Sequence, residues 1–493
     1  MAGVYGAVMA AISPLAHLSV DERVARGRAA RELRPRGSLA AWRVPLHRAE
    51  PIDLLAGQET DRVPVLLPVR HFRTAASPFA FYRGSAIVMA ADLGSMPTSG
   101  LTVQLCGDAH LANFGVFRAP DRRLVFDGDD FDETMAGPFE WDVLRLATSF
   151  VLAGLEKSAL ATSRSAVQAR ARAGRKAAFA AAATYRMSMR SNASRPAIDV
   201  WYARGDEQAL RTWSRGEPKS NRLLADLAAG RAGGQSQTVR SAVEHYTTRK
   251  GGARRFLDAD ALVRIGMDDA LSGPIVATFQ AYRAQLAAHR AELVNHYEVI
   301  DIGHKVVGVG SVGLPDFVLL MQGRSKDDLL LLQLKATQRS ALLAGLPAPT
   351  GEHTTEAQRI VVGARLSQPD TDVFLGPADL PGAPSRYLRQ LRDGKWAPDV
   401  TTLSNGRLVD FARMCAHALA RSHARTGDPV AIAAYLGRGS TFDLAAASFA
   451  RRYAAQVVAD AGDYRAAIGS GRLAAAATVA REELLDGLRA MAF

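Results

Sequence analysis

The chain has 493 residues, 48% of them apolar and 22% charged, and a net charge of +12 from 61 Lys and Arg against 49 Asp and Glu. That is ample for a large core, read as two to four domains or one large fold with insertions. Its two cysteines, Cys106 and Cys415, exclude a disulfide framework and a structural zinc site and point to a reducing cytoplasm.

In chain order, the N-terminal MAGVYGAVMAAISPLAHL is apolar, lacks a basic region and is broken by Pro14, which argues against a signal peptide. No run of eighteen apolar residues occurs elsewhere, so no membrane span is expected. Residues 1–60 read as an Arg-rich, weakly helical arm. SPFAFYRG, from Ser77 to Gly84, opens a helix with Ser77 as cap and Pro78 in the first turn, flanked by Arg70, Arg73 and Arg83. These arginines suit pairing with nearby carboxylates and have the chemistry to hold phosphates.

The densest stretch is QLCGDAHLANFG followed by LVFDGDDFDE. A short apolar run leads into Gly107, Asp108, His110 and Asn113, and a second empties into Asp127, Asp129, Asp130, Asp132 and Glu133. Asp-x-x-x-x-Asn is the spacing at which a carboxylate faces an acceptor hydroxyl while an amide oxygen reaches a cation. Taken alone, such a turn is also an ordinary loop, because Gly, Asp and Asn all favour turns. Asp130 is the favoured second metal ligand beside Asn113, with Asp127 as the alternative. Trp141-Asp142 starts a helix, where Asp142 either caps it or bonds the backbone amides of the preceding loop.

The chain is then Ala-rich and helical from Ser149 to about Tyr185, irregular over 189–255, and helical again from Asp258 to Glu292 with an interruption at Ser272-Gly273-Pro274. Next comes VVGVGSVGLPDFVLLM, which contains Gly308-x-Gly310-x-x-Gly313 and Ser311. A dinucleotide fingerprint must open a helix, and here a β-like run follows; Leu314 after Gly313 likewise breaks the Walker pattern. The expectation is a hairpin whose backbone amides cover phosphates. Lys335 ends the next apolar strand, LLLLQLK, and is read as a phosphate-binding lysine paired with Glu356, or with Glu352. Arg386 to Leu391 reads as the last strand and hinge of this segment, and Leu408–Ala424 and 441–493 as helices. His417 and His423 are six apart, share no face and read as structural.

GDAHLANFG with its downstream acidic strand end and GPFEWD resembles the signature of aminoglycoside phosphotransferases. The wider chain, from SPFAFYRG through VVGVGSVG to DVFLG, resembles a bacterial family of unknown function grouped with the kinase-like superfamily. The resemblance implies ATP and Mg²⁺ as cofactors, Asp108 as base with His110 beside it, and Asn113 and Asp130 on the metal. Gly308, Gly310, Ser311, Gly313, Lys335 and Glu356 would hold the nucleotide. It implies an α+β, protein-kinase-like fold of two lobes. The catalytic loop precedes the glycine turn, which requires a circular permutation. The segments would be 61–295, a helical lobe with the catalytic loop; 296–395, a β-rich lobe covering ATP; and 396–493, helices completing the first.

The expected partner is a small molecule bearing a hydroxyl. Two alternatives stand beside this reading. One is a catalytically inactive nucleotide-binding regulator, and the other a basic nucleic-acid-binding protein, disfavoured because the arginines are dispersed. The oligomeric state is open.

Overall fold

The computed structural model describes residues 18–121, 123–205, 239–250, 253–258, 262–306, 308–348, 355–391 and 397–491. The N-terminal apolar stretch up to residue 17, the turn-rich 206–238 and Glu352 lie outside them.

The elements that carry the site are few. Helices α1 (Leu67–Ala75) and α2 (Pro78–Gly84) precede a strand pair, β1 (Thr102–Leu105) and β4 (Met135–Pro138), which encloses a hairpin of β2 (Phe114–Arg118) and β3 (Leu124–Gly128). Ser77 caps α2 by accepting from the Ala80 amide, as the Ser-Pro start suggests. Helices α3 (Glu140–Ala159) and α4 (Arg164–Ala193) follow. They approach so closely that a Cβ on Gly154 would lie 2.6 Å from the Gly174 Cα.

A six-stranded antiparallel sheet comes next, built from β5 (Leu262–Arg264), β6 (Glu298–Lys305), β7 (Phe317–Gln322), β8 (Leu329–Ala336), β9 (Gly376–Pro377) and β10 (Arg386–Gln390), in the order β9-β10-β8-β7-β6-β5. The β6–β7 hairpin forms as expected, registered from Glu298↔Gln322 to His304↔Phe317 around the glycine turn. Strands β7 and β8 read as nearly unbroken apolar runs because both faces are covered. Phe317, Leu319, Met321, Leu330, Leu332 and Leu334 join one core, while Val318, Leu320 and Leu331 join another.

Helix α5 (Glu356–Ser367) lies between β8 and β9 in sequence, and α6 (Asn405–Thr426), α7 (Thr441–Gly469) and α8 (Arg481–Ala490) close the chain. The largest core joins α3, α4, α6 and α7.

Three details differ from the sequence reading. The expected helix from Asp258 is strand β5 followed by helices at Ser272–Gln285 and Ala288–Asn295. Strand β5 lies before residue 296 yet belongs to the sheet. Helix α8 packs Leu484, Leu485 and Leu488 into the core beneath the sheet rather than among the helices. Among the described residues, no helix is long and apolar enough to cross a membrane.

Candidate active site between the acidic loop and the glycine turn

Strand β1 delivers its last residue, Leu105, to a tight turn. Gly107 sits there at φ +88°, and a Cβ would meet the Glu133 carbonyl oxygen at 2.4 Å, so both conformation and space demand glycine. Asp142, in the first turn of α3, accepts from the amides of Cys106 (2.7 Å) and Gly107 (3.1 Å). The Asp142 carboxylate also meets His423 Nε2 at 3.2 Å, and His423 Nδ1 meets the Tyr185 hydroxyl at 2.8 Å. Asp142 therefore takes the loop-bonding role rather than that of a plain cap. Leu111 N–H adds a bond to Ser149 Oγ (3.0 Å), so the loop is tied to α3 at three amides.

Past this turn, Asp108 reaches the cavity. Its Oδ1 accepts from Arg145 Nε at 2.5 Å, and Arg145 also donates to the Tyr82 carbonyl and lies over the Tyr82 ring. His110 Nε2 stands 3.7 Å from Asp108 Oδ2, too far for a direct bond. Burial drives the His110 imidazole down to about 4, so the ring is neutral at pH 7. Its Nδ1 accepts from the Ala112 amide, which places the ring proton on Nε2, facing Asp108. Asn113 Nδ2 donates to the Asp108 carbonyl (2.9 Å), leaving its Oδ1 as the remaining side-chain acceptor.

The two candidate ligands of the acidic strand end separate cleanly. Asp127 is buried against Arg421 (3.4 Å) and the Gly128 amide, while Asp130 lines the cavity with Asp108 and Asn113. Burial, with the like charge of Asp132, raises the Asp130 carboxyl. Burial would also raise Asp132, but the Lys335 ammonium at 2.5 Å and the Tyr387 hydroxyl at 2.6 Å hold it below its ordinary value. In turn burial would lower Lys335, but Asp132, Tyr387 and Asp130 keep it charged, well above its usual range.

The glycine turn supplies the opposite wall. Gly308, Val309, Gly310 and Ser311 line the same cavity as Asp108, Asn113 and Asp130. Gly308 and Gly313 have left-handed backbones, at φ +70° and +97°. Their neighbours explain the turn's shape: Arg70 donates to the Gly310 carbonyl (2.7 Å), Arg73 to that of Gly308 (3.3 Å), and the Val63 amide to that of Gly313 (2.8 Å). Gly313 itself lies outside the cavity wall.

Glu356 is the residue the structure places elsewhere. It begins α5 and pairs with Arg359 at 2.5 Å, so the partner of Lys335 is Asp132. Arg359 also donates to the carbonyls of Asp132 (2.8 Å), Thr134 (2.6 Å) and Gln338 (3.2 Å), tying the acidic loop to the end of the lysine strand. Arg145 and Tyr387 are contributors that sequence reasoning missed. Arg145 stands one helical turn after Asp142, the spacing that puts both on the loop-facing side of α3.

The cavity measures about 120 Å³, which suits phosphate groups rather than a whole nucleotide. A larger one of about 510 Å³ shares Ile360 with it as a wall residue and is lined by Phe117, Phe131, Tyr297, Phe374 and Arg389 among others. Among the described residues, no three His, Cys, Asp or Glu side chains converge to hold a metal by themselves. The cavity donors are hard oxygens, the Asp130 carboxylate and Asn113 Oδ1. That set fits a cation that shares its shell with ligand oxygens and water.

Fold and cavity together define an α+β protein of helices and antiparallel sheets with an acidic cavity where the two meet; Lys335 stands outside its wall and reaches it through Asp132. The chain belongs to the bacterial family described as an uncharacterized protein conserved in bacteria (DUF2252), whose model matches residues 62–467. No curated protein and no solved structure matches it.

Proposed function

We propose that this protein transfers a phosphoryl group from ATP to a hydroxyl of a small molecule, within a permuted kinase-like arrangement of two lobes. The observation that carries this reading is the meeting of Lys335 with Asp132 across 203 residues of sequence, beside a cavity walled by both the acidic loop and the glycine turn. Asn113 and Asp130 would hold Mg²⁺, which when bound neutralises phosphate charge. With Asp108 Oδ1 committed to Arg145, Oδ2 is the oxygen free to take the proton that the acceptor hydroxyl loses. The neutral His110 faces that oxygen with its Nε2 proton from 3.7 Å. Lys335 would meet phosphate oxygens from the sheet side, and the neighbouring apolar cavity gives room for the organic part of a substrate. The two free, buried thiols, Cys106 and Cys415, suit a cytoplasmic setting.

A second reading, an inactive nucleotide-binding regulator, is favoured by one observation: Asp108 is ion-paired with Arg145. Asp108→Asn separates the two. On the first reading it abolishes ATP turnover while ATP and Mg²⁺ still raise the melting temperature. Full turnover in this variant would remove Asp108 as base, and a wild-type protein that is stabilised by ATP but never consumes it is the regulator.

A further inference from the structure

Three arginines from the N-terminal part of the chain, Arg62, Arg70 and Arg83, line the cavity of the acidic loop. Two of them are occupied with the glycine turn. Arg62 donates to the Val312 carbonyl, Gln338 Oε1 and the Gln58 carbonyl. Arg70 donates to the carbonyls of Gly310 and Gly84. Arg83 differs: its Nε is buried and has no hydrogen-bond partner.

Its backbone is fixed all the same. Arg83 lies in the last turn of α2, and its carbonyl lies 3.4 Å from where a Cβ on Gly310 would stand. A Cβ on the next residue, Gly84, would stand 3.2 Å from Val309 Cγ1. The guanidinium, 6.0 Å from the Phe79 ring centroid, is held charged among carboxylates: burial lowers it, and Asp108 and Asp130 oppose that. A guanidinium on a fixed backbone, with a buried N–H that meets no partner, stands in the wall of a cavity it shares with glycine backbone, and its planar fork matches the bidentate geometry of a phosphate group. Balancing the carboxylates would need only its charge. The bare N–H on a fixed backbone goes beyond that need.

We infer that Arg83 is the residue that grips a phosphate group in this cavity, and that the ligand class is a polyphosphate brought in with a divalent cation. The assignment of that group as the terminal phosphate of ATP rests on the proposed phosphoryl transfer; the binding of a polyphosphate does not.

The test is calorimetric titration of magnesium pyrophosphate into the full chain. Wild type is expected to bind, Arg83→Gln to bind about tenfold more weakly, and Arg83→Lys, which keeps charge without the fork, to fall between. Arg83→Lys also serves if Arg83→Gln does not fold, which the melting temperature without ligand reports. Unchanged affinity in Arg83→Gln, or in Arg83→Lys where it alone folds, overturns the assignment, as does a wild type that binds no pyrophosphate. Arg83-dependent pyrophosphate binding without ATP turnover by wild type would sink phosphoryl transfer and leave Arg83 standing. ATP turnover with pyrophosphate binding indifferent to Arg83 would do the reverse.

Discussion

Asp142 shows how one carboxylate organises a loop. Buried, it accepts from two backbone amides and meets His423, so its removal leaves three polar groups unmet at once. Asp142→Ala is expected to cost about 3 kcal/mol of stability, read by chemical denaturation, in the range for breaking a buried charged network. Asp316 behaves oppositely. Burial pushes its carboxyl up to about 7, with Lys335 and the Ala336 amide only partly offsetting it. The folded state therefore holds its proton more tightly than the unfolded chain. Its contribution is complete below about pH 4 and is lost as pH rises to 7, a loss on the order of 4 kcal/mol. Asp316→Asn should flatten the fall in denaturation midpoint between pH 4 and 7; an unchanged slope would place the titration elsewhere. The Asp142 bonds were legible from its place beside the loop. The Lys335 partner was not, because sequence order suggests an acid on the following helix, whereas Asp132 arrives from far upstream.

Helix α5 is the element that ties the loop to the sheet. Arg359 bonds three carbonyls across that junction, Gln368 donates to the Gly128 carbonyl at 2.5 Å, and a Cβ on Gly363 would lie 2.4 Å from Thr134 Cγ2. Gly363→Val should thus push the helix off the acidic loop, costing about 1–3 kcal/mol. A melting temperature equal to wild type would mean the helix shifts without cost. A continuous apolar run straight after a glycine cluster made the β6–β7 hairpin readable. Strand β5 was not, because three residues carry too little pattern and become a strand only by pairing Leu262 with Lys305. The helical spacing of 405–426 was readable for the opposite reason, its length.

At the scale of the molecule, several arginines of the described residues are taken up in ion pairs inside the fold: Arg48 bridges Asp92 and Asp460, Arg186 pairs with Asp443, and Arg421 with Asp127. Binding to duplex DNA is accordingly expected to be weak in gel shifts at physiological salt, and tight binding that collapses with added salt would contradict this. The order of the segments has a further consequence during synthesis. Asp108 finds Arg145 only 37 residues later, whereas Asp132 must wait 203 residues for Lys335. At typical ribosomal speeds the second delay lasts roughly ten to forty seconds. Half of the cavity is thus electrostatically settled while the nascent chain is still short, and the other half closes only when the sheet emerges to meet it.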